Sequence, residues 1–267
     1  MSKENLIVYQ VDAFTNEPFK GNPAGVCVTD RELDTALMQN IALEMNLSET
    51  AFIRKIGESF EIRYFTPEIE VPLCGHATLG SSHILYTTGL VNENDKIVFQ
   101  AKAGELIVKK TGDWIKMNFP QYFLNKIDIP ATFEQITNIQ PIEAYESERG
   151  WKLFLLNSED DVANIKPNFE LLKQNNLGHI MVTSMSIRTG VDYVHRCFVP
   201  NVGINEDPVT GSAQCALGPF WNMKTGKTNF VAHQLSKRTG ILKVDVLPER
   251  VEISGQAITI FKADFSI

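Results

Sequence analysis

The sequence predicts an α+β fold made of two similar halves, and three observations carry that reading. First, "RYFTPEIEVPLCGHATLG" (63–80) aligns without a gap on "RCFVPNVGINEDPVTGSA" (196–213). Arg63 falls on Arg196, Phe65 on Phe198 and Pro67 on Pro200, each 133 positions on in a chain of 267. Second, the strand-like runs adjoin by short turns rather than by regular crossover helices, which favours a mixed layout over a doubly wound one. Third, each half holds one helix rich in small residues, "GHATLGSSHILYTTG" and "GSAQCALGPFWNMKTG", followed by a closing meander of strands.

Taken in order, "NLIVYQVDAF" and "NPAGVCVTD" read as strands, with Asp30 as the cap of the next element. "RELDTALMQNIALEMN" spaces Leu33, Leu37, Ile41 and Met45 four apart, the stripe of an amphipathic helix. "ETAFIRK" and "SFEIRYFT" alternate apolar and polar residues and read as paired strands. The first small-residue helix comes after them, ended by Gly89 just beyond its last turn. "KIVFQA", "GELIVKK" and "WIKMNF" continue as a meander. In the second half, "ATFEQITNI" and "FELLKQNN" read as helices and "WKLFLL", "HIMVTS" and "DYVHRCF" as strands. The second small-residue helix then leads into "ILKVDVL", "RVEISG" and "QAITIFK". The seam falls in "FPQYFLNKIDIP", which has two prolines and loses the strand pattern, so the expected domains are 1–120 and 121–255.

Composition narrows the function. A hydrophobic share of 43% and a charged share of 21% are ordinary for a soluble globular chain. A net charge of −7 argues against nucleic acid as the main partner, because phosphate binding needs a cationic face. Cys27, Cys74, Cys197 and Cys215 form neither a CxxC pair nor a disulfide framework. The opening "MSKENLIVYQVDAF" has no signal-peptide apolar core, and no run reaches the ~18 apolar residues of a membrane span. The expectation is a reducing, cytoplasmic setting with no membrane partner. No dinucleotide fingerprint or phosphate loop is present, so no cofactor is expected.

Both repeated stretches share one plan: strand, proline, a short loop, then a helix opening with Gly or another small residue. A helix N-terminus presents free N–H groups and a positive dipole end, which attract a carboxylate. Small residues serve equally to seat a helix tightly against a sheet. His76 sits in the first turn, where the dipole favours its neutral form. Cys74 is either a nucleophile or base activated by the same dipole, or an inert buried thiol. Asp207 precedes Pro208 and read alone is a turn starter; Ser212 read alone is a helix-end hydroxyl. Glu49, in "NLSETAFI", is flanked by apolar residues; pointing inward, it would have its pKa raised by desolvation toward that of a general acid/base.

"VDAFTNEPFKGNPAGV" (11–26), "NLSETAFI" (46–53), "RYFTPEIEVPLCGHATLG" (63–80) and "NEDPVTGSA" (205–213), in this order and spacing, resemble the PhzF-like proteins of phenazine biosynthesis. The resemblance covers nearly the whole chain. It implies the diaminopimelate epimerase-like fold: two pseudo-symmetric domains, each a curved mixed sheet around a central helix, with the active site in the cleft between them. It also implies that the last strand (256–267) returns to the first domain and that the chain forms a homodimer.

The activity implied is isomerisation of a small anionic substrate, dihydro-hydroxyanthranilate in the best-understood members, without cofactor or metal. A glutamate shuttles a proton between carbons. By motif match that glutamate is Glu49, with His76 and Asp207 holding the substrate's polar groups and tuning it. Backbone N–H groups at Gly75, Gly211 and Ser212 would bind the carboxylate, and Asn22 would line the cleft. Related epimerases use two facing cysteines. In the ungapped frame Cys74 holds the first position and Asp207 the second, so the two-thiol pair is incomplete. Two alternatives stand beside the isomerase: an epimerase or racemase using Cys74, and a non-enzymatic binding protein on the same fold.

Overall fold

The structure, a computed structural model, describes residues 5–266. The chain divides into two units: one runs to Asn118 and resumes at Ser254, and the other is Phe119–Ile253.

The first unit opens with β1 (Asn5–Ala13), β2 (Asn22–Thr29), α1 (Thr35–Met45), β3 (Glu49–Ile56) and β4 (Ser59–Phe65). It continues with β5 (Glu70–Val71), α2 (Gly75–Thr87), β6 (Ile97–Ala101), β7 (Gly104–Thr111) and β8 (Trp114–Pro120). The strand Ala257–Ser266 returns to this unit and pairs antiparallel with β1. Antiparallel pairs β1/β2, β3/β4, β6/β7 and β7/β8 alternate with parallel pairs β2/β3 and β4/β6. Each parallel pair needs a crossover, and α1 and α2 supply them. The sequence reading expected no regular crossover helices. The helices lie where it placed them, but two of the strand pairs they join are parallel.

α1 begins one turn later than Asp30 suggests. Its cap is Asp34, whose Oδ1 accepts from the Ala36 N–H at 2.7 Å. Its buried face, Met38, Ile41 and Ala42, joins Leu6, Val8, Cys27, Leu33, Phe52 and Phe65 in one core. α2 is different: His76–Ser82 are buried without interruption, as are Ile84–Tyr86. A helix closed in on nearly every side needs small residues, and "GHATLGSS" supplies them. Gly89, at φ +74°, follows its C-cap.

The second unit repeats the plan. Its strands are β9 (Leu124–Ile127), β10 (Glu143–Ser147), β11 (Lys152–Leu155), β12 (Ile180–Met185), β13 (Tyr193–Val199) and β14 (Ile204–Glu206). They continue with β15 (Asn229–Gln234), β16 (Gly240–Val246) and β17 (Arg250–Gly255). Its α-helices are α3 (Phe133–Thr137), α4 (Glu159–Asn164), α5 (Phe169–Gln174) and α6 (Gln214–Thr225). β11/β12 and β13/β15 are the parallel pairs, bridged by α4 with α5 and by α6. The neighbouring pairs β10/β11, β12/β13 and β15/β16 are antiparallel, as in the first unit. α3–α5 cover one core, in which Phe133, Phe154, Leu172 and Phe198 are fully buried.

The repeat extends to side chains. Arg63 makes a two-pronged ion pair with Glu70, at 2.9 and 3.0 Å, and lies 5.1 Å over the Phe65 ring. Arg196 does the same with Glu206, at 2.7 and 2.9 Å, and lies 4.9 Å over Phe198. Arg196 also donates to the carbonyls of Val162, Ala163 and Ile165. Its replacement by alanine leaves a half-buried carboxylate and several carbonyls without their donor. We expect Arg196→Ala to cost about 3 kcal/mol, read as a lower urea midpoint at unchanged slope. A midpoint shift too small to measure would mean that the pair is solvated rather than structural.

The matched ion pairs correct the ungapped frame. Glu70 and Glu206 are 136 positions apart, not 133, so the second copy carries three extra residues before its helix. In the corrected frame "CGHAT" (74–78) lies on "TGSAQ" (210–214). The residue matched to Cys74 is therefore Thr210, and Asp207 lies one turn before it.

Candidate active site

The first unit gathers Glu49, Cys74 and His76 and sets Asn22 at the start of the strand beside Glu49. β2 and β3 run parallel, with Ala24 beside Glu49, so Asn22 and Glu49 begin neighbouring strands at the same end of the sheet. The strands approach closely there: a Cβ on Gly25 would sit 2.6 Å from Thr50 Oγ1, which explains the glycine in "NPAGV". Asn22 is fully buried.

α2 brings Cys74 and His76 to Glu49. Its N-terminus is anchored by Tyr64, whose buried hydroxyl shares a 2.6 Å hydrogen bond with Thr78 Oγ1. Thr78 Oγ1 in turn donates to the Cys74 carbonyl at 2.7 Å. Cys74 is the N-cap but makes no side-chain capping bond. A Cβ on Gly75 would meet nothing within 4 Å, so no packing constraint demands glycine there. An open backbone at a helix start suits a small anion approaching the first-turn N–H groups.

His76 Nε2 lies 3.2 Å from Glu49 Oε2 and 3.3 Å from Ser48 Oγ, and its Nδ1 lies 3.4 Å from Cys74 Sγ. The imidazole is thus held from both sides. Burial pushes the Glu49 carboxyl up, but the His76 charge and hydrogen bonds from His76, Ser48 and Cys74 outweigh it and hold Glu49 below its ordinary value. Burial pushes His76 down, but Cys74 and Glu49 outweigh it and hold the imidazole well above its ordinary value. Burial, then the Glu49 charge, push the Cys74 thiol up to about 11.

These directions correct two expectations and choose between two readings of a third residue. Glu49 is lowered rather than raised, because the His76 charge and the hydrogen bonds from His76, Ser48 and Cys74 outweigh burial; apolar neighbours alone do not reveal a partner 27 residues away. His76 is held above its ordinary value rather than toward the neutral form, because Cys74 and Glu49, the latter at 3.2 Å, outweigh burial. Of the two readings of Cys74, the buried thiol is favoured over the dipole-activated thiolate, because burial and the Glu49 charge raise its pKa. Because that thiol is uncharged, Glu49 is the anion that holds the His76 proton. Ser48 was missed, although it stands next to Glu49 in "NLSETAFI".

The second unit gathers the others. Asp207 follows β14; its N–H donates to the Cys197 carbonyl at 3.1 Å, and its Oδ2 accepts from Thr210 Oγ1 at 2.6 Å. Buried Gln234 clamps the loop with both arms. Its Nε2 donates to the Asp207 carbonyl and its Oε1 accepts from the Thr210 N–H, each at 2.7 Å. Gly211, Ser212 and Ala213 form a helical turn leading into α6, with bonds from Gln214 N–H to Gly211 O and from Cys215 N–H to Ser212 O. Ser212 is half-buried. Thr210 and Gln234 were not singled out in the sequence. His195 is fully buried beside Gln214, and burial holds it neutral with a pKa of about 3.

Glu49, Cys74 and His76 offer a carboxylate oxygen, a sulfur and a ring nitrogen within 4.8 Å of one another, the donor types a metal ion would use. All four cysteines are buried and free. No helix among the described residues is long and apolar enough to cross a membrane.

The family model of phenazine biosynthesis-like (PhzC-PhzF) proteins matches residues 11–263. The chain belongs to that family. A protein of Halalkalibacterium halodurans, named an uncharacterized isomerase, is 44% identical over 258 residues, spanning 96% of this chain and 97% of its own. The crystal structure of a PhzF family protein from Enterococcus faecalis superposes with a TM-score of 0.94 at 40% identity, covering 99% of this chain and all of the other. A probable proline racemase from Agrobacterium radiobacter shares the fold, with a TM-score of 0.66 at 10% identity over 98% of this chain and 93% of its own. The α+β fold expected from the sequence is thus the one this family shares with epimerases and racemases.

Proposed function

We propose that this chain is a cofactor-independent isomerase that relocates a proton on a small carboxylated substrate, with Glu49 as the shuttling base. The Glu49–His76 pair carries the reading. A base must be ionised and reachable. The imidazolium keeps Glu49 deprotonated, and the Glu49 side chain is 19% exposed while that of His76 is 9% exposed. Glu49 takes a proton from a substrate carbon, leaving the C–H electron pair in the conjugated system. It then returns that proton to a second carbon, so no external acid or oxidant is needed. As part of the same proposal, His76 and Asp207 hold the substrate's polar groups, backbone N–H groups at Gly75, Gly211 and Ser212 bind its carboxylate and Asn22 lines the site. The names of relatives as isomerases support the general class.

The two-base epimerase reading is the weaker one. A thiol with a pKa of about 11 is not a base near neutral pH, and its matched position holds Thr210 rather than a second cysteine. Cys74→Ser should therefore keep turnover within about tenfold of the wild type, the scale of one modest transition-state contact.

The deciding experiment follows NMR spectra in D2O with dihydro-hydroxyanthranilate and a panel of small amino and hydroxy acids. Deuterium entering a carbon, or product formation, is expected with the wild type and with Cys74→Ser. Exchange confined to an α-carbon and abolished by Cys74→Ser would replace the isomerase with the epimerase. Turnover surviving in Glu49→Gln would remove Glu49 from the mechanism.

A further inference from the structure

We infer that Glu49, Cys74 and His76 also form a binding site for a zinc-class divalent ion, which occupies the proton-transfer base and switches it off. Three different donors converge from two separated segments, the start of β3 and the start of α2. His76 Nε2 lies 3.2 Å from Glu49 Oε2 and 3.8 Å from Cys74 Sγ. A tetrahedral ion with ordinary bonds to sulfur, nitrogen and oxygen holds its donor atoms about 3.4–3.6 Å apart. The two edges at His76 bracket that range and all three donor atoms lie within 4.8 Å of one another, so closing the Glu49–Cys74 edge on binding completes three corners of a tetrahedron.

The surroundings favour this use. The imidazole is already fixed in place by Ser48 and Cys74, and the Cys74 backbone is tied through Thr78 to buried Tyr64. Side chains held this way give up little conformational freedom on binding. Cys74 and His76 are buried, while Glu49 retains an exposed face through which an ion can enter. A sulfur–nitrogen–oxygen set selects borderline-soft ions such as Zn2+ and Co2+ over Mg2+ and Ca2+, which require oxygen ligands. Binding displaces the thiol and imidazolium protons to solvent. It also ties up the Glu49 oxygen that would accept a substrate proton, so the ion acts as an inhibitor rather than a cofactor.

The site uses the side chains of the proposed base, but its test needs no substrate and stands if the isomerase reading fails. Cobalt(II) titrated into the full-length protein should give a near-ultraviolet thiolate-to-cobalt charge-transfer band and intense tetrahedral bands in the visible. Zinc should bleach both, and magnesium should change neither. Cys74→Ser, checked for native circular dichroism, should lose the charge-transfer band. Glu49→Gln should keep it but need at least about tenfold more cobalt for half-saturation. No charge-transfer band in the wild type, or a band undiminished in Cys74→Ser, would overturn the site. Unchanged cobalt affinity in Glu49→Gln would overturn the three-donor geometry.

Discussion

Glu49→Gln should lower the proton-transfer rate by about a hundred- to ten-thousand-fold, the range for losing a positioned general base, while leaving the protein folded. The amide keeps the volume and one carbonyl acceptor for His76 but cannot take a proton from carbon. Substrate binding should change far less than turnover, because nothing in the proposal assigns the grip on the substrate to Glu49. The variant therefore separates two roles: a fall in kcat at nearly constant KM identifies a base, whereas a rise in KM alone identifies a binding carboxylate. The stability cost should be small. The substitution removes a carboxylate that burial disfavours together with the cation that compensates it, since His76 is then free to become neutral. A variant that unfolds, or one that turns over at the wild-type rate, would refute the assignment.

What could be read from the sequence depended on how local its cause was. α1, α2 and α6 follow from apolar spacing and small-residue runs contained in each segment, and β3, β4 and β6–β8 follow from alternation and turns. β9, "LNKI", and β15, "NFVAHQ", are not legible in the sequence alone, because their strand character comes from pairing with β10 and with β13 and β16. α4 was also missed, although Ser158 before three acidic residues is a helix-start signal; its hydroxyl accepts from the Asp161 N–H at 3.1 Å.

The site shows the same division. Residue identities came from motifs, but the charge state of Glu49 and His76 did not, because it depends on a contact between segments 27 residues apart. The three-residue slip between the halves was hidden for a related reason. An ungapped match of Arg, Phe and Pro satisfied the strand and could not report the longer loop before α6. Only the paired glutamates, Glu70 and Glu206, show where the copies diverge.

His76→Gln should move the acid limb of the pH–rate profile upward and reverse the pH dependence of stability contributed by this site. In the wild type, Glu49 is lowered; its contribution is present above the ordinary carboxylate pKa of about 4.3 and is lost as pH falls through the depressed value. His76 is raised; its contribution is fully present below about pH 6.5 and is lost as pH rises through the elevated value. The pair therefore stabilises the fold most between these limits. With glutamine at position 76 the cation is gone and burial dominates Glu49, raising its pKa above the ordinary value. A raised carboxyl binds its proton more tightly in the folded state, so stability now falls as pH rises from the ordinary carboxylate value through the raised one. Urea unfolding of both proteins at several pH values should show their difference widening toward neutrality, to about 2 kcal/mol or more. A loss of stability independent of pH would mean that His76 acts by packing alone. An unmoved acid limb would mean that Glu49 is not the group whose ionisation the profile reports. Activity lost without any shift of the limb would instead point to His76 as a direct proton donor to the substrate.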